Sequence, residues 1–327
     1  MNDLKGSKVL ITGGAGFVGS FTAEQLIPEG VKEVIILDNL IRGSRNNIAG
    51  ITGSGKARFI EGDIRDKDLV DGLLKGVDYC FHMAALRITH CAESPREAVE
   101  VMIDGTFNIA EACVKHKVRK IVAASSASIY GNADTFPTKE DHHPYNNRTL
   151  YGAAKMANEL IFRSFCSMYG LAYDMLRYFN VYGPRMDIHG KYTEVLIRWY
   201  DMIRAGKEPL IYGDGKQTMD FVYVADVARS NILAMKADVK DEVFNIASGT
   251  ETSLEDLCFL LLEVMNAKLR PRYIPISDDR RKVEVSRRLA HTGKAGEKIG
   301  FRSKVSLKEG LGALVAWLDE QRAEVRS

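Results

Sequence analysis

The chain has 327 residues, 46% of them hydrophobic and 27% charged, and its 45 basic and 43 acidic side chains leave a net charge of +2. This length provides one large core or two smaller ones, and the composition is typical of a soluble globular protein. The balanced charge does not favour nucleic acid or an anionic membrane as a partner. No apolar run approaches the roughly 20 residues that span a bilayer.

The cysteines and histidines give no sign of a metal site. Five cysteines are scattered without a CxxC pair, which predicts reduced thiols in a cytoplasmic protein. The N-terminus lacks the pattern of a cleaved signal peptide. His142 and His143 precede Pro144 in a polar loop without a carboxylate or cysteine partner at ligand spacing, so we expect them to be solvated.

Apolar strand-like runs alternate with helical stretches through the first half of the chain. The predicted strands are 9–12, 33–38, 58–63, 78–83, 120–125 and 174–179, and the predicted helices are 17–29, 95–116 and 150–169. Near-continuous apolar strands separated by helices predict an α/β fold with a doubly wound parallel sheet, covered on both faces.

The regular alternation stops after Pro184. We predict helices at 192–205, 226–236, 252–267 and 306–322 and strands at 209–215 and 243–247, the last returning to the large sheet. The expected division is a large domain of 1–180 with about 222–248, and a smaller, interleaved α/β lobe of 181–221 and 249–327.

Glycines at 13, 16 and 19 follow the first strand and open the first helix. Glycine permits a tight turn and close approach to a phosphate, and the helix N-terminus offers free N–H groups to a pyrophosphate. A purely structural turn is the alternative reading of this GxxGxxG spacing. Asp38 favours a dinucleotide because it ends the second strand, where an acidic side chain binds the adenosine ribose.

The residues near Asp38 bear on the choice of cofactor. A carboxylate at this position repels the additional phosphate of NADP, so NAD is favoured. Arg42 and Arg45 are a counter-signal, since arginines near this point bind that phosphate. Asp63 ends the third strand, where a contact with adenine and a simple turn after Gly62 are equally compatible with the spacing.

Tyr151 and Lys155 lie four residues apart on a predicted helix and therefore share a face. A free tyrosine, with a pKa of about 10, is a poor base at neutral pH. A neighbouring ammonium and an oxidised nicotinamide both favour the phenolate, which can take a proton from a substrate hydroxyl as a hydride leaves the carbon. Ser126, at the end of the fifth strand, is expected to hydrogen-bond the same oxygen.

These motifs resemble the extended short-chain dehydrogenase/reductase family, and within it the nucleotide-sugar epimerases and dehydratases such as UDP-galactose 4-epimerase. The segments that carry the resemblance are Gly13 to Gly19, Asp38-Asn39, Gly62-Asp63, His82 to Ala85, Ser125 to Gly131, Tyr151 to Lys155, Arg177 to Arg185 and Gly213 to Asp226. The resemblance implies a Rossmann domain that binds NAD and a smaller lobe that binds a sugar nucleotide. It also implies a homodimer held by a four-helix bundle of the helices around 95–116 and 150–169, and a role in cell-surface polysaccharide synthesis.

The resemblance also assigns roles to residues. The implied catalytic residues are Ser126, Tyr151 and Lys155. The implied cofactor contacts are Gly13, Gly16, Phe17, Val18, Gly19, Asp38, Asn39, Arg42, Asp63, Ile64, Met83, Ala84, Ala85, Arg87, Tyr151, Lys155 and Tyr178. The implied substrate contacts are Arg87, Ser126, Ser128, Asn180, Tyr192, Tyr212 and Arg281.

The two residues after Ser126 limit which reaction of the family this chain is expected to catalyse. Sugar-nucleotide 4,6-dehydratases of this family carry an Asp-Glu pair there and decarboxylating relatives a Glu in the second place, but this chain has Ala127 and Ser128. Oxidation and re-reduction at one carbon remain, which is 4-epimerisation of a UDP-hexose or its N-acetylated form through a 4-keto sugar. The alternatives are an NAD(P)-dependent reductase or dehydratase of the family and, more remotely, a non-catalytic NAD-binding regulator.

Several positions depart from the family pattern or leave their role open. Met219 stands where relatives often have an arginine that clamps the substrate diphosphate, and Met102 stands where relatives have a cofactor-contacting asparagine. His82 is either a buried structural residue or a catalytic one, and Tyr212 either contacts a base or packs within the smaller lobe. Candidates to replace the missing arginine, if they are not simply solvated, are Arg280, Arg281, Arg287 and Arg288.

Overall fold

The structure is a computed structural model that describes residues 2–188, 194–276 and 285–324. Twelve strands occur in the described residues: β1 (Lys8–Thr12), β2 (Glu33–Asp38), β3 (Ala57–Glu61), β4 (Tyr79–His82), β5 (Lys120–Ser126), β6 (Tyr173–Tyr178), β7 (Asn180–Tyr182), β8 (Leu210–Tyr212), β9 (Thr218–Tyr223), β10 (Glu242–Ile246), β11 (Glu251–Ser253) and β12 (Arg272–Ile274).

The same residues contain twelve α-helices: α1 (Phe17–Leu26), α2 (Ala49–Thr52), α3 (Lys67–Leu74), α4 (Ile88–Glu93), α5 (Pro95–Val99), α6 (Gly105–Lys115), α7 (Leu150–Tyr169), α8 (Val195–Arg204), α9 (Val224–Lys236), α10 (Leu254–Val264), α11 (Gly293–Ile299) and α12 (Leu307–Glu324). A π-helical turn, Glu100–Asp104, joins α5 to α6, and single 3₁₀ turns cover Arg45–Ile48 and Ala127–Tyr130.

Seven parallel strands form the large sheet in the order β3-β2-β1-β4-β5-β6-β10. Their carboxyl ends therefore meet at one edge. The doubly wound α/β fold predicted from the sequence is confirmed, and β10 returns to this sheet beside β6 as expected. The proposed domain boundaries remain a prediction.

Both faces of the large sheet are covered, which explains why its strands are apolar throughout. In β1, Val9 and Ile11 belong to the core beneath α1 and α9, whereas Leu10 belongs to the core beneath α3, α6 and α7. Successive side chains of a strand point to opposite faces, so every position of a doubly covered strand is buried.

The helix predicted at 150–169 is observed with the same ends. The Thr149 hydroxyl caps it by accepting a 3.1 Å hydrogen bond from the Gly152 N–H, and Gly170 ends it in the left-handed region. The helix predicted at 95–116 is instead divided by the π-turn at 100–104. Helix α8 begins at Val195, whereas residues 192–193 of its predicted span lie outside the described residues.

Two further sheets and a separate core lie mainly in the part of the chain predicted to form the smaller lobe. Strands β11, β9 and β7 form one sheet, and β12 and β8 form a parallel pair. Trp199 on α8 is 1% exposed and packs with Tyr182 and residues of α10 and α12. No helix among the described residues is long and apolar enough to cross a bilayer.

Candidate active site

The carboxyl edge of the large sheet borders a cleft of about 770 Å³. Strands β1, β2, β4 and β5 end there, and residues of the smaller lobe such as Met219 close its other side. A crevice at the carboxyl ends of the strands is where open α/β sheets bind their ligands.

The cleft collects most of the site residues predicted from the sequence. Every residue proposed to contact the cofactor lines it, from Gly13 to Tyr178. Of the proposed substrate contacts, Arg87, Ser126, Ser128 and Asn180 line it, whereas Tyr212 lies outside this lining. Tyr192 and Arg281 lie outside the described residues. The roles of all these residues remain predictions.

The glycine turn brings two loops into direct contact. Gly13 has a φ of 66°, in the left-handed region that glycine adopts without strain. A Cβ at this position would lie 2.7 Å from the backbone nitrogen of Ala84, so only glycine fits between the ends of β1 and β4. Helix α1 begins after Gly16 without a side-chain cap. Its first N–H groups are therefore suited to a pyrophosphate.

The Asp38 carboxylate is fixed by the glycine turn that it adjoins. It accepts hydrogen bonds from the backbone N–H groups of Ala15, at 3.0 Å, and of Leu40, at 2.8 Å. Burial raises the pKa of Asp38, and these backbone donors oppose the shift. The carboxylate is thus oriented before any ribose arrives, as a dinucleotide site requires.

Arg42 and Arg45, the two arginines that favoured NADP as the cofactor, both have carboxylate partners. Arg45 binds Glu61 at 2.7 Å, and its guanidinium lies 4.5 Å from the centre of the Phe59 ring. The Nε of Arg42 lies 3.5 Å from Asp187. Burial and the nearby charge of Arg87 lower the pKa of Arg42. Both arginines are therefore neutralised by the protein itself.

The serine pair at the end of β5 divides between core and cleft. Ser125 donates a 2.5 Å hydrogen bond to Glu159, which is buried and paired with Arg177 at 2.6 Å. Ser126 accepts a 3.1 Å hydrogen bond from the Ser128 N–H and lines the cleft with Tyr151, whose pKa its hydroxyl lowers. This division follows from strand geometry, because neighbouring residues of a strand point in opposite directions.

The pKa of Tyr151 departs from the sequence expectation. Burial raises the pKa of this phenol, while the Ser126 hydroxyl and the charges of Arg42 and Arg288 lower it. The Lys155 ammonium lies 5.9 Å from the centre of the tyrosine ring and donates instead to the Ala124 carbonyl, at 2.7 Å. The proximity of Lys155 alone therefore does not make Tyr151 anionic in the ligand-free protein.

Lys155 is itself perturbed by its surroundings. It is 2% exposed, and this burial lowers its pKa to about 8. The group is thus close to its titration midpoint at a mildly alkaline pH, which is typical of residues that work in active sites.

Helix α7 reaches the end of β5 because residue 152 has no side chain. A Cβ at Gly152 would lie 2.6 Å from the Ser128 carbonyl oxygen and 2.3 Å from Oδ1 of Asn147. Tyr151 is the neighbour of this glycine, so the same close approach brings its phenol to Ser126. Sequence reasoning missed this role, although the glycine between a catalytic tyrosine and lysine was a visible signal.

His82 is the centre of a directional hydrogen-bond chain. The Ala84 N–H donates to Thr12 Oγ1 at 3.3 Å, and this hydroxyl lies 2.7 Å from His82 Nδ1. The Thr106 hydroxyl donates to the Met102 carbonyl at 2.7 Å, which leaves its oxygen to accept from His82 Nε2 at 3.0 Å. Nε2 therefore carries a proton, and in the neutral imidazole Nδ1 then accepts from the Thr12 hydroxyl. Burial agrees, because it lowers the pKa of His82 to about 3.

The π-turn holds Met102 away from the cleft. Met102 is 1% exposed, and its sulfur lies 3.5 Å from the sulfur of Cys91. The preceding residue, Val101, lines the cleft instead. A π-turn adds a residue to a helical turn and so shifts which side chain faces the ligand.

Two acidic residues of the cleft were not anticipated from the sequence. Asp187 lies 3.1 Å and Glu194 3.0 Å from the two terminal nitrogens of Arg87. They come from the segment that leads to α8, and their meeting with Arg87 is a tertiary contact across about 100 residues of chain. No local sequence signal indicated it.

The adjacent histidines have a carboxylate partner after all. His143 Nε2 lies 2.8 Å from Asp134, and the Asp134 N–H donates to His142 Nε2 at 3.0 Å. The loop closes on itself and brings these residues together, which the sequence separation concealed. His142 Nδ1 lies 2.7 Å from the His143 carbonyl, so both nitrogens of His142 have hydrogen-bond partners. The absence of a metal remains a prediction.

The sequence and the fold match known enzymes. Residues 9–247 match the NAD dependent epimerase/dehydratase family. The chain belongs to this family. A Methanocaldococcus jannaschii protein described as a putative UDP-glucose 4-epimerase is 39% identical over 95% of this chain and 98% of its own.

Solved structures of the family agree closely. A UDP-N-acetylglucosamine 4-epimerase from Methanobrevibacter ruminantium, in complex with UDP-N-acetylmuramic acid, has a TM-score of 0.90 at 32% identity, covering 97% of this chain and 99% of its own. The UDP-glucose 4-epimerase of Thermotoga maritima, solved with UDP-glucose, has a TM-score of 0.88 at 36% identity, covering 96% and 99%. Other matches include a decarboxylase and a 4,6-dehydratase. Family members have been solved with NAD bound, and NAD is the cofactor of this enzyme.

Proposed function

We propose that this enzyme inverts the hydroxyl group at C4 of a UDP-activated hexose. The observation that carries the proposal is that Ser126, Tyr151 and Lys155 line one cleft together with the glycine turn. NAD bound in this cleft supplies the acceptor and donor of the hydride. The protein has then to bind the sugar, move one proton and exclude water.

Tyr151 and Ser126 are assigned to the transfer of the C4 hydroxyl proton. The Tyr151 oxygen takes the proton of the C4 hydroxyl and returns it when the alcohol is re-formed. Ser126 holds the same substrate oxygen through its hydroxyl, and the Ser128 N–H fixes its orientation at 3.1 Å. Lys155, held by the Ala124 carbonyl, places a positive charge beneath the phenol. This charge favours the anionic form once the cofactor adds its own.

The residues after Ser126 favour epimerisation over elimination or decarboxylation. Ala127 is buried at 2% exposure, and Ser128 lines the cleft. Neither side chain is an acid or base of the strength needed to act at C5 or C6. The chemistry of this site is therefore confined to one carbon, which supports a 4-epimerase and disfavours a dehydratase.

The proposal is tested by incubating the purified protein with UDP-glucose, UDP-N-acetylglucosamine and UDP-glucuronate and following C4 inversion by NMR. At least one of these sugars should be inverted without added NAD, because the cofactor is regenerated in each cycle. Tyr151→Phe should lower the rate by about 100-fold or more while keeping the fold. Net consumption of a reduced cofactor, or release of water or carbon dioxide, would point to another reaction of the family.

We also propose that the protein is a homodimer joined through α6 and α7. Phe107 on α6 is 42% exposed, and Leu160 and Met168 on α7 are 53% and 67% exposed. Such apolar residues on neighbouring helices favour an interface that buries them. Leu160→Glu should shift the mass measured by light scattering to that of a monomer, whereas Lys75→Glu, in the loop after α3, should leave it unchanged.

The free cysteines fit the reducing cytoplasm, where we place the protein.

A further inference from the structure

Arg288 belongs to a segment that the backbone fixes on two sides. Its N–H donates to the Thr218 carbonyl at 2.9 Å, and the Thr218 N–H donates to the Ser286 carbonyl at 3.0 Å. One residue later, the Leu289 carbonyl accepts from the Thr138 N–H at 2.8 Å. The position of the Arg288 backbone is therefore set by the fold rather than by a ligand.

The side chains of the two neighbouring arginines of this segment point in opposite directions. Arg287 binds Glu251 through two hydrogen bonds of 2.6 and 2.9 Å and lies over the Phe136 ring at 4.5 Å. Arg288 turns to the other side, as adjacent residues of extended chain do, and lines the cleft. Arg287 is thus a structural cation and Arg288 faces the ligand site.

Arg288 is the cleft arginine whose charge the described protein leaves uncompensated. Arg42 and Arg87 lie near Asp187, and Arg185 binds Glu24 at 2.5 Å. The Arg288 side chain makes no hydrogen bond or ion pair with any residue in the described ranges 2–188, 194–276 and 285–324. Arg288 is partly buried, and a guanidinium withdrawn from water without a partner is costly, so such a group in a binding cleft indicates an anionic ligand.

Packing places this cation at the reacting end of the cleft, because Ala290, two residues after Arg288, belongs to the same buried cluster as Ala127, the residue that follows Ser126. The charge of Arg288 acts on Tyr151 and lowers the pKa of that phenol. Burial lowers the pKa of Arg288 to about 10, which leaves it protonated at neutral pH. Because Tyr151 handles the C4 hydroxyl in the proposed function, the anion that meets Arg288 lies close to C4. On a hexose ring C5, which carries C6, is bonded to C4, whereas the diphosphate is attached across the ring at C1.

We propose that Arg288 binds a carboxylate on the hexose, so that the preferred substrates are UDP-activated acidic sugars such as hexuronates. This inference rests on the proposed function and narrows its substrate class. A guanidinium matches a carboxylate through two parallel hydrogen bonds, which distinguishes an acidic sugar from its neutral counterpart. The same arginine without a carboxylate partner would disfavour UDP-glucose, because its charge would then be buried unpaired.

The experiment compares binding and turnover in the wild type, Arg288→Met and the matched control Arg287→Met. Calorimetry gives the affinities for UDP-glucuronate, UDP-glucose and UDP alone, and circular dichroism checks the fold. The wild type should bind UDP-glucuronate at least about 10-fold more tightly than UDP-glucose. Arg288→Met should bind UDP-glucuronate about 30-fold or more weakly than the wild type does. Its affinities for UDP-glucose and for UDP should fall by less than about 3-fold. Arg287→Met should retain the wild-type preference.

Two results would overturn the inference. Equal losses for UDP-glucuronate, UDP-glucose and UDP would assign Arg288 to the diphosphate, and tighter wild-type binding of UDP-glucose would remove the acidic sugar as the preferred substrate. The proposed function is judged separately by C4 inversion in NMR. If a neutral sugar is inverted and UDP-glucuronate is not bound more tightly than UDP-glucose, the 4-epimerase stands and the role of Arg288 is refuted. If UDP-glucuronate is bound more tightly but no sugar is inverted, the 4-epimerase is refuted.

Discussion

The Lys155 ammonium donates a 2.7 Å hydrogen bond to the carbonyl of Ala124, two residues before Ser126 on β5. This contact ties the second turn of α7 to the strand that carries Ser126, the serine proposed to act in catalysis. The residues proposed to transfer the proton therefore belong to one rigid unit of helix and strand, which holds their relative positions without help from a loop.

Replacing Lys155 with Met should change the pH dependence of stability. Burial lowers the pKa of Lys155 from 10.5 to about 8, so the folded state disfavours the charged form. This penalty is fully present below pH 8 and is relieved as the pH rises towards 10.5, where the unfolded chain still holds the proton. Relative to Lys155→Met, the wild type should therefore gain up to about 1.4 kcal/mol per pH unit in this window.

Urea unfolding of both proteins between pH 7 and 10 checks this difference, and parallel stability profiles would contradict it. The variant should also lose about 100-fold or more in turnover, since the positive charge beneath Tyr151 is gone. Loss of turnover with unchanged affinity for NAD separates this effect from loss of the cofactor.

Replacing Gly152 with Ala should damage catalysis through position alone. The new Cβ would meet the Ser128 carbonyl at 2.6 Å, so α7 must move away from the end of β5 and take Tyr151 with it. We expect a loss of about 10-fold or more in kcat, since misplacement by about 1 Å can reduce a rate about 100-fold. Overpacking should also lower the free energy of unfolding by about 1–3 kcal/mol.

Gly312→Ala is the matched control for this variant. Gly312 also lies within a helix, α12, but a Cβ there would meet nothing within 4 Å. Alanine should stabilise this helix by up to about 1 kcal/mol and leave turnover unchanged. Equal kinetic effects of the two substitutions would show that the packing of residue 152 has no special role.

Asp174 should make the protein less stable as the pH rises from about 4 to 7. The Lys120 ammonium lies 2.6 Å from this carboxylate but donates to the carbonyls of Ala234, Ala237 and Val239. Burial without enough hydrogen bonds raises the pKa of Asp174 to about 7. The folded state then holds a proton that the unfolded chain releases near pH 4, so the stabilisation present below pH 4 is lost as the pH passes 7.

Asp174→Asn removes this titration. Relative to the variant, the wild type should lose up to about 1.4 kcal/mol per pH unit in the same window. Denaturant unfolding of the two proteins at pH 4.5, 5.5, 6.5 and 7.5 measures the difference. A constant difference across these pH values would refute the assignment to Asp174.

His82 should remain a neutral Nε2–H imidazole at all pH values at which the protein is used. The hydrogen-bond chain from Ala84 through Thr12 to Thr106 fixes this tautomer, and burial lowers the pKa of His82 to about 3. Nitrogen NMR of protein labelled at histidine should show one protonated ring nitrogen at pH 5 and at pH 8. A second ring proton at pH 5 would rule out the proposed chain.

Local pattern was enough to predict the fold class and most of the cofactor cleft. The glycines of residues 13–19, Asp38, and the pair of Tyr151 and Lys155 each act through backbone conformation or helical spacing, which a single segment encodes. Parallel topology then requires that the ends of the apolar strands meet at one edge. The position of the cleft therefore followed from the order of the elements.

Other features depended on contacts between distant segments. The meeting of Arg87 with Asp187, the partner of the adjacent histidines at Asp134, and the turning of Arg288 rather than Arg287 into the cleft have no local signature. The division of the 95–116 helix by a π-turn likewise changed which residue faces the ligand, placing Val101 rather than Met102 at the cleft.

The sequence by itself determined the family and the parallel sheet and indicated the residues proposed to transfer the proton, because periodicity and spacing specify elements and the groups they carry. Tertiary structure alone decided the pKa shifts of those groups and which cleft arginine has no partner among the described residues. Burial sets the pKa of Tyr151 and Lys155, and burial is a property of the assembled protein. Electrostatic complementarity to a substrate is likewise a sum over side chains that only folding brings together.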